Sequence, residues 1–479
     1  MKKGSILVLI LALAIGTALV SAQGGDLPGS GWESGQQIQN TSDTDQANIT
    51  FVLYDQDGNA TDCTDNSKNP VQPGASVNYL TEECPVAEGF QGSAVVSADS
   101  PIAAIVNVNN RTVGAAAGQY RGTDGSDVST TIAFPLVKND YFGRTTTFYV
   151  QNASGQPNDI SATFNTTSGT NTHDFTNVPA NAMVIFMPSD AGVPAGDVGS
   201  LVVEGTQPVA GTSLEHEASA AVAANLQASK AFTPSEYDST AYCPLIRNNH
   251  TARNLTTGIQ AQNVSGSPQT ITVAYSYSVG GGPVQTSTAT SPQLADGESH
   301  TFFYQGPNAT LPEGALGSAT VTGDEGGNIA VVVNDRGFAL DPSPVTTYAC
   351  FPDSGTSDEV VVPLYKEYFF GNTTGIQVQN VGASDVTVEL TYTPVGGSPV
   401  TISHSQPIAP GASKTFFGVS QGTSPADITG TNPALVNTYG GIVITANGPV
   451  VAMANEGSFG GFGTTASGQD NKNYEGFNQ

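Results

Sequence analysis

Positive charge is scarce in this sequence: 14 lysines and arginines stand against 41 aspartates and glutamates, a net charge of −27 at pH 7 over 479 residues. Such a balance repels phosphate backbones and anionic headgroups, which excludes nucleic-acid binding and peripheral membrane binding as primary roles. Histidine is nearly as rare. Its five copies, His173, His216, His250, His300 and His404, are scattered, and Glu215-His216-Glu217 has no second histidine four residues on, so the zinc-protease spacing fails and a solvated strand end is expected instead. The four cysteines include no CxxC pair, which argues against a zinc site. After residue 22 there is no long apolar run, and the polar end over 469–479 has no hydrophobic tail, which excludes a transmembrane anchor there. Helical periodicity is close to absent. Residues 214–232, Ala-rich with Glu215 and Glu217 near the start and Lys230 near the end, read either as a short linker helix or as an irregular linker.

What is present begins with an export signal. Lys2-Lys3, an apolar run over residues 6–20 and Val20-Ser21-Ala22 make the three parts of a secretory leader, with cleavage expected after Ala22. The run is short of the roughly 20 residues that cross a bilayer. An exported, soluble chain, without lipid anchor or membrane insertion, is the expectation. Export permits disulfides, and spacing favours Cys63 with Cys84 and Cys243 with Cys350, although the other two pairings stay open.

The strongest signal is repetition. Ile38-Gln39-Asn40, Val150-Gln151-Asn152, Ala261-Gln262-Asn263 and Val378-Gln379-Asn380 recur at intervals of 112, 111 and 117 residues. Nine positions before each Asn stand Gly31, Gly143, Asn254 and Gly371, residue types suited to a turn with positive φ. After each Gln-Asn comes a strand of period two, such as Ile49, Phe51 and Leu53 or Ile271, Val273 and Tyr275. A turn follows, as in Pro73-Gly74-Ala75-Ser76 and Pro410-Gly411-Ala412-Ser413, then an aromatic strand, a Gly-Ser strand such as Gly199-Ser200-Leu201, and a closing apolar strand such as Pro101-Ile102-Ala103-Ala104. Short strands and turns in units of about 110 residues are the pattern of a seven-stranded antiparallel sandwich. The reading is all-β, four tandem immunoglobulin-like sandwiches in an elongated array: leader 1–22, repeats over 23–122, 123–235, 236–352 and 353–463, and a tail over 464–479.

The stretch from Asn380-Val381-Gly382 through Phe417 resembles bacterial cell-surface immunoglobulin-like repeats of the cell-adhesion-related (CARDB-like) kind, and the whole unit is similar to tandem repeats in secreted proteins of filamentous bacteria. The resemblance spans nearly the whole mature chain. It implies a sandwich fold and leaves function among spacer, adhesin, surface-layer unit and enzyme accessory.

Catalytic motifs are weak. Gly418-Val419-Ser420-Gln421-Gly422 satisfies G-x-S-x-G but falls in a β-unit turn, not at a strand-to-helix elbow. Asp55-Gln56-Asp57-Gly58-Asn59 starts like a calcium loop, lacks the later acid, and reads better as a hairpin turn. No cofactor is expected, and acid runs such as 353–359 are the only support for calcium. Trp32, Tyr141-Phe142 and Phe369-Phe370 lie at the turns before Gln-Asn strands, where packing is the first reading and a sugar-stacking platform, hence surface glycans, the second. Sequons include Asn152-Ala153-Ser154, Asn263-Val264-Ser265 and Asn372-Thr373-Thr374.

The chain ends differ from the middle. Repeats two to four are entered through Phe134-Pro135-Leu136, Cys243-Pro244-Leu245 and Val362-Pro363-Leu364, and the first repeat has no such strand in the mature chain. Asn473-Tyr474-Glu475-Gly476-Phe477 resembles Gln119-Tyr120-Arg121-Gly122, a segment that leads into a next repeat where none follows. One expectation is homopolymerisation, the tail strand around Tyr474 and Phe477 adding to the open first repeat near Trp32; the other is a disordered tail. Together these readings expect a non-enzymatic extracellular structural protein of a surface layer, sheath or filament, with an adhesin or carbohydrate-binding spacer as the alternative.

Overall fold

A computed structural model of the chain describes residues 6–9, 14–15, 27–110, 116–218, 225–251, 253–303, 311–339, 343–418, 433–458 and 472–478. These are all-β, with helix limited to 3-10 turns of three or four residues. One strand plan recurs four times. The Gln-Asn strands are Trp32–Asn40, Arg144–Asn152, Leu255–Asn263 and Asn372–Asn380. Each is flanked by a short strand after the turn and by the closing apolar strand, so that Ile259 faces Phe302 on one side and Val333 on the other. A second sheet holds the period-two strand, its hairpin partner, the Gly-Ser strand and the entry strand, as in the order Gln285–Thr290, Ile271–Val279, Ala315–Gly323, Thr240–Asn248. In the second and fourth units the Gly-Ser and apolar strands fuse into single strands of 21 residues, Asp197–Glu217 and Thr438–Ser458, which cross from one sheet to the other.

Alternation builds the core. Ile49, Phe51 and Leu53 are buried while Thr50 is exposed, and equivalent side chains meet from both sheets: Ile38 with Val96 in the first unit, Phe148 with Phe164 and Val203 in the second, Ile259 with Val273 and Val321 in the third, and Ile376 with Leu390 and Ile444 in the fourth. The turns expected before the Gln-Asn strands have positive φ, 82° at Gly31, 75° at Gly143, 50° at Asn254 and 78° at Gly371. The disulfides are Cys63–Cys84 and Cys243–Cys350, the sequential pairing that spacing favoured. They fit folding in an oxidising compartment. Among the described residues no helix is long and apolar enough to cross a membrane.

The Gln-Asn signature has a structural cause. Each Asn side chain is buried and its amide donates to two or more backbone carbonyls: Asn263 to Ser267 and Leu294 at 2.8 and 3.0 Å, Asn380 to Ser384 and Ile408 at 2.7 and 2.8 Å. Its carbonyl accepts the N–H two residues on, from Ser42, Ser154, Ser265 and Gly382 in turn. The neighbouring Gln amide donates to the turn carbonyl, Gln39 to Gly74 at 3.0 Å and Gln262 to Gly297 at 3.1 Å. Two side chains thereby tie strand to turn in every unit. Asn152 and Asn263 are consumed by this clamp, so those sequons are inaccessible in the fold.

Three expectations are corrected. The units do not form an elongated array. Their inner strands, Ala117–Arg121, Gln227–Lys230, Val345–Ala349 and Lys472–Glu475, pack first against second, second against third, third against fourth and fourth against first, closing a ring. Gly118 lies against Ala228, Gln227 donates to the Thr346 carbonyl at 2.7 Å, Asn473 donates to Thr346 Oγ1 at 2.7 Å, and the Arg121 guanidinium stands 4.6 Å from the Phe477 ring centroid. Residues 214–232 contain no helix among those described: Leu214–Glu217 ends a long strand, and Gln227–Lys230 pairs with Thr212–Glu215. Nor is the end of the chain a free strand. Lys472–Glu475 pairs with Met453–Glu456 of its own unit, and Phe477–Asn478 pairs with Val360–Val361.

Candidate functional site: clefts at the unit boundaries

In the second, third and fourth units, the residue three positions after the entry proline is a cation and reaches an acid on the closing strand. Lys138 meets Glu215 at 2.9 Å, Arg247 meets Asp335, and Lys366 meets Glu456 at 2.8 Å. Arg144 adds a second cation to Glu215, and Lys472 a second to Glu456 at 3.3 Å. Burial pushes the Glu215 and Glu456 carboxyls up, but their paired cations outweigh it and hold both below the usual carboxylate range. His216 is buried beside this cluster, its Nε2 2.9 Å from Thr147 Oγ1 and its Nδ1 2.9 Å from the Glu217 carbonyl oxygen, and burial lowers its pKa. The Glu215-His216-Glu217 segment is therefore not the solvated strand end that was expected. A cation at proline plus three, matched by an acid in the closing strand, was the sequence signal for these pairs.

Above two of these ion pairs the boundaries between units open into clefts. The larger, about 810 Å³, lies between the second and third units, with Leu136, Phe142 and Arg144 on one wall and Phe303, Arg336 and Phe338 on the other. The second, about 340 Å³, lies between the fourth and first, with Leu364, Lys366 and Phe370 facing Gln37, Leu80 and Asn109. The two are equivalent: Leu136 and Leu364 follow the entry prolines, Lys138 and Lys366 head the ion pairs, and Phe142 and Phe370 stand one residue before the turn glycine. Phe142 and Phe370 are 83% and 82% exposed, on backbone with φ of 50° and 48°. Each packs edge-on against its neighbour, Tyr141 or Phe369, at 4.6 Å. Phe303 and Phe338 extend the larger apolar lip, and the Arg336 guanidinium stands 5.1 Å from the Phe338 ring centroid. Lys138, Arg144 and Arg336 line this cleft with Glu215, and Glu217 stands 3.6 Å from Arg144, so three cations face two acids in an acidic chain. Such a lining can hold an apolar body with an acidic group beside it.

The other sequence candidates lie elsewhere. Trp32 is 2% exposed and its Nε1 donates to the Pro28 carbonyl at 3.0 Å, which makes it core and removes it from any sugar platform or assembly face. Tyr474 is 1% exposed, its hydroxyl accepting from Leu364 N at 3.0 Å and donating to Leu364 O, and Phe477 is half-buried. Neither is a spare assembly strand. Asp55 accepts from Asp57 N and Asn59 N in a hairpin turn, as expected. Residues 419–422 of the G-x-S-x-G match lie outside the described residues. Among those described, no group of three or more His, Cys, Asp or Glu is arranged to hold a metal ion.

No family model matches the sequence. No curated protein matches it either. Among solved structures, the chain is similar to the Streptomyces avermitilis alpha-L-rhamnosidase complexed with L-rhamnose at 9% identity and a TM-score of 0.10, over 98% of this chain and 57% of that one, a likeness that carries no argument.

Proposed function

We propose that the protein is a non-enzymatic extracellular structural protein, four immunoglobulin-like sandwiches closed into a ring, which joins a surface assembly through aromatic turns at its unit boundaries. The observation that carries this reading is the pair Phe142 and Phe370. Burying a phenylalanine is worth about 1.5–3 kcal/mol, and a non-glycine residue in left-handed backbone costs about 1 kcal/mol more. The chain forgoes the burial and bears the strain at two equivalent turns, each beside a cleft, where chance exposure of a single apolar side chain would not recur. The double variant Phe142→Ser with Phe370→Ser is expected to keep its melting temperature and lose self-association in sedimentation velocity, along with retention on the producing cells. Unchanged association and retention would overturn the reading.

The adhesin reading is favoured by one observation, the cationic, aromatic-lipped cleft between the second and third units. It expects an acidic polysaccharide to bind the ring, and Arg336→Ala to weaken that binding in titration calorimetry. Glycan recognition through Trp32 is not part of it.

A further inference from the structure

The entry strands fill equivalent slots in one register. Ile132, Ala241 and Val360 stand opposite Val203, Val321 and Ile444. On the other side of each strand lies a short later segment, with Ala133 beside Phe232, Tyr242 beside Phe351 and Val361 beside Phe477. Tyrosines of the inner strands grip the strand backbone: Tyr348 hydroxyl accepts from Leu245 N at 3.1 Å and donates to Leu245 O at 2.6 Å, as Tyr474 does at Leu364. Each slot also presents a buried acid, Glu215, Asp335 or Glu456, to the strand's cation.

The first unit has the same slot with one change. Its walls are Gln91–Ala98 and Thr123–Asp124, and Tyr120 holds the place of Tyr348 and Tyr474. Where the other units have the acid it has Val108, fully buried. The slot is occupied by Ile6–Leu9 and Ala14–Ile15, with Val8 opposite Val96 and Ile15 opposite Gln91, the position that Lys138 takes opposite Val198. Those residues belong to the apolar run that reads as a cleaved leader. Once cleaved, the described chain keeps four slots and three entry strands. Among the described residues a second copy has no spare strand to lend, because giving up one of its own entry strands empties one of its own slots, and the Lys472–Glu475 strand is already buried in its own unit.

We infer that the first unit of the mature protein is an acceptor for an extended apolar strand from a different protein. The donor segment resembles Ile132-Ala133-Phe134-Pro135-Leu136 and is uncharged where it meets Val108. Main-chain pairing to Gln91–Ala98 supplies the affinity, and Val108 selects against a cation. This stands apart from the aromatic-turn reading and does not depend on it.

The experiment uses the exported protein, with its N-terminus sequenced, and two synthetic peptides spanning residues 129–139, one unchanged and one carrying Lys138→Ile. The Lys138→Ile peptide is expected to bind one to one in native mass spectrometry, to raise the melting temperature, and to bind at least about tenfold more tightly than the unchanged peptide. The Val108→Glu variant is expected to reverse that preference, which a merely sticky surface would not do. Retention of residues 6–15 in the exported protein would show the slot filled by its own leader and overturn the inference. So would failure of the folded wild-type protein to bind either peptide, an order of preference unaffected by Val108→Glu, or a mature protein already paired with copies of itself through this edge.

Discussion

At the scale of single residues, several buried charged side chains find their counter-charges inside the fold. Glu456 is one of them, 1% exposed between Lys366 and Lys472. Burial alone would raise its pKa, but the two ammonium groups dominate and hold it near 2, against an ordinary value of 4.5. A carboxyl depressed in the folded state stabilises the fold above its unfolded pKa, and that contribution drains away as pH falls towards the folded value. Glu456→Gln leaves two buried cations without their counter-charge, so it is expected to cost about 3–5 kcal/mol at pH 7. The gap from the wild type should narrow between pH 4.5 and pH 2, as urea midpoints across that window would show. A gap independent of pH would mean that Glu456 is not ionised in the fold. The Gln-Asn clamp works on the same principle with neutral groups: removing Asn263 would strand two carbonyls and an N–H, each worth about 1–3 kcal/mol when buried without a partner.

At the scale of elements, period-two strands and turns were legible because alternation and Pro-Gly chemistry are local. Ile49, Phe51 and Leu53 could be placed on one face from their spacing alone. The inner strands were not legible, since four or five residues such as Gln227–Lys230 are too few to show a period. There alanines and flanking charges of the right sign mimicked a helix, and tertiary pairing with Thr212–Glu215 overrode them. The terminal strand was misjudged for a related reason. Its likeness to Gln119–Gly122 was real, but the likeness lies in a strand that closes its own unit and the ring, a role the tail segment fills without a unit after it in the described residues. Of the candidate site, the aromatic turns could be seen, but not which ring of each pair faces solvent; that follows from positive φ at Phe142 and Phe370. Deleting residues 471–479 should therefore destabilise the monomer by about 3–5 kcal/mol, comparable to losing a buried aromatic side chain, because Tyr474 fills the core of the fourth unit. A truncated chain that melts like the full one, followed by thermal unfolding, would contradict the pairing of this strand.

At the scale of the whole molecule, the units are joined through the repeated serine and turn positions, whose spacing along the chain does not show that they meet across a boundary. Ser200 donates to the Gly297 carbonyl at 2.5 Å and Ser318 to the Gly411 carbonyl at 2.7 Å, so the turn that each Gln side chain holds from within its unit also receives the preceding unit. At the seam between the fourth and first units the serine position is Gly441. A Cβ there would come within 2.6 Å of Gln39 Nε2 and 2.8 Å of Ser76 Oγ, while Ser76 itself donates to the Pro363 carbonyl at 3.0 Å. The missing side chain is what lets the last unit meet the first. Gln39 is held by Gly74 and Ser76 by Pro363, so neither can give way without losing a buried hydrogen bond. Gly441→Leu should then part this seam while leaving the four cores intact, since its neighbour Ile442 still packs inward. The expected result is a larger radius of gyration in small-angle scattering with near-unchanged circular dichroism, and a hydrodynamic radius displaced in the same direction. Identical scattering from variant and wild type would mean that the seam tolerates the side chain and that closure is held by the inner strands alone.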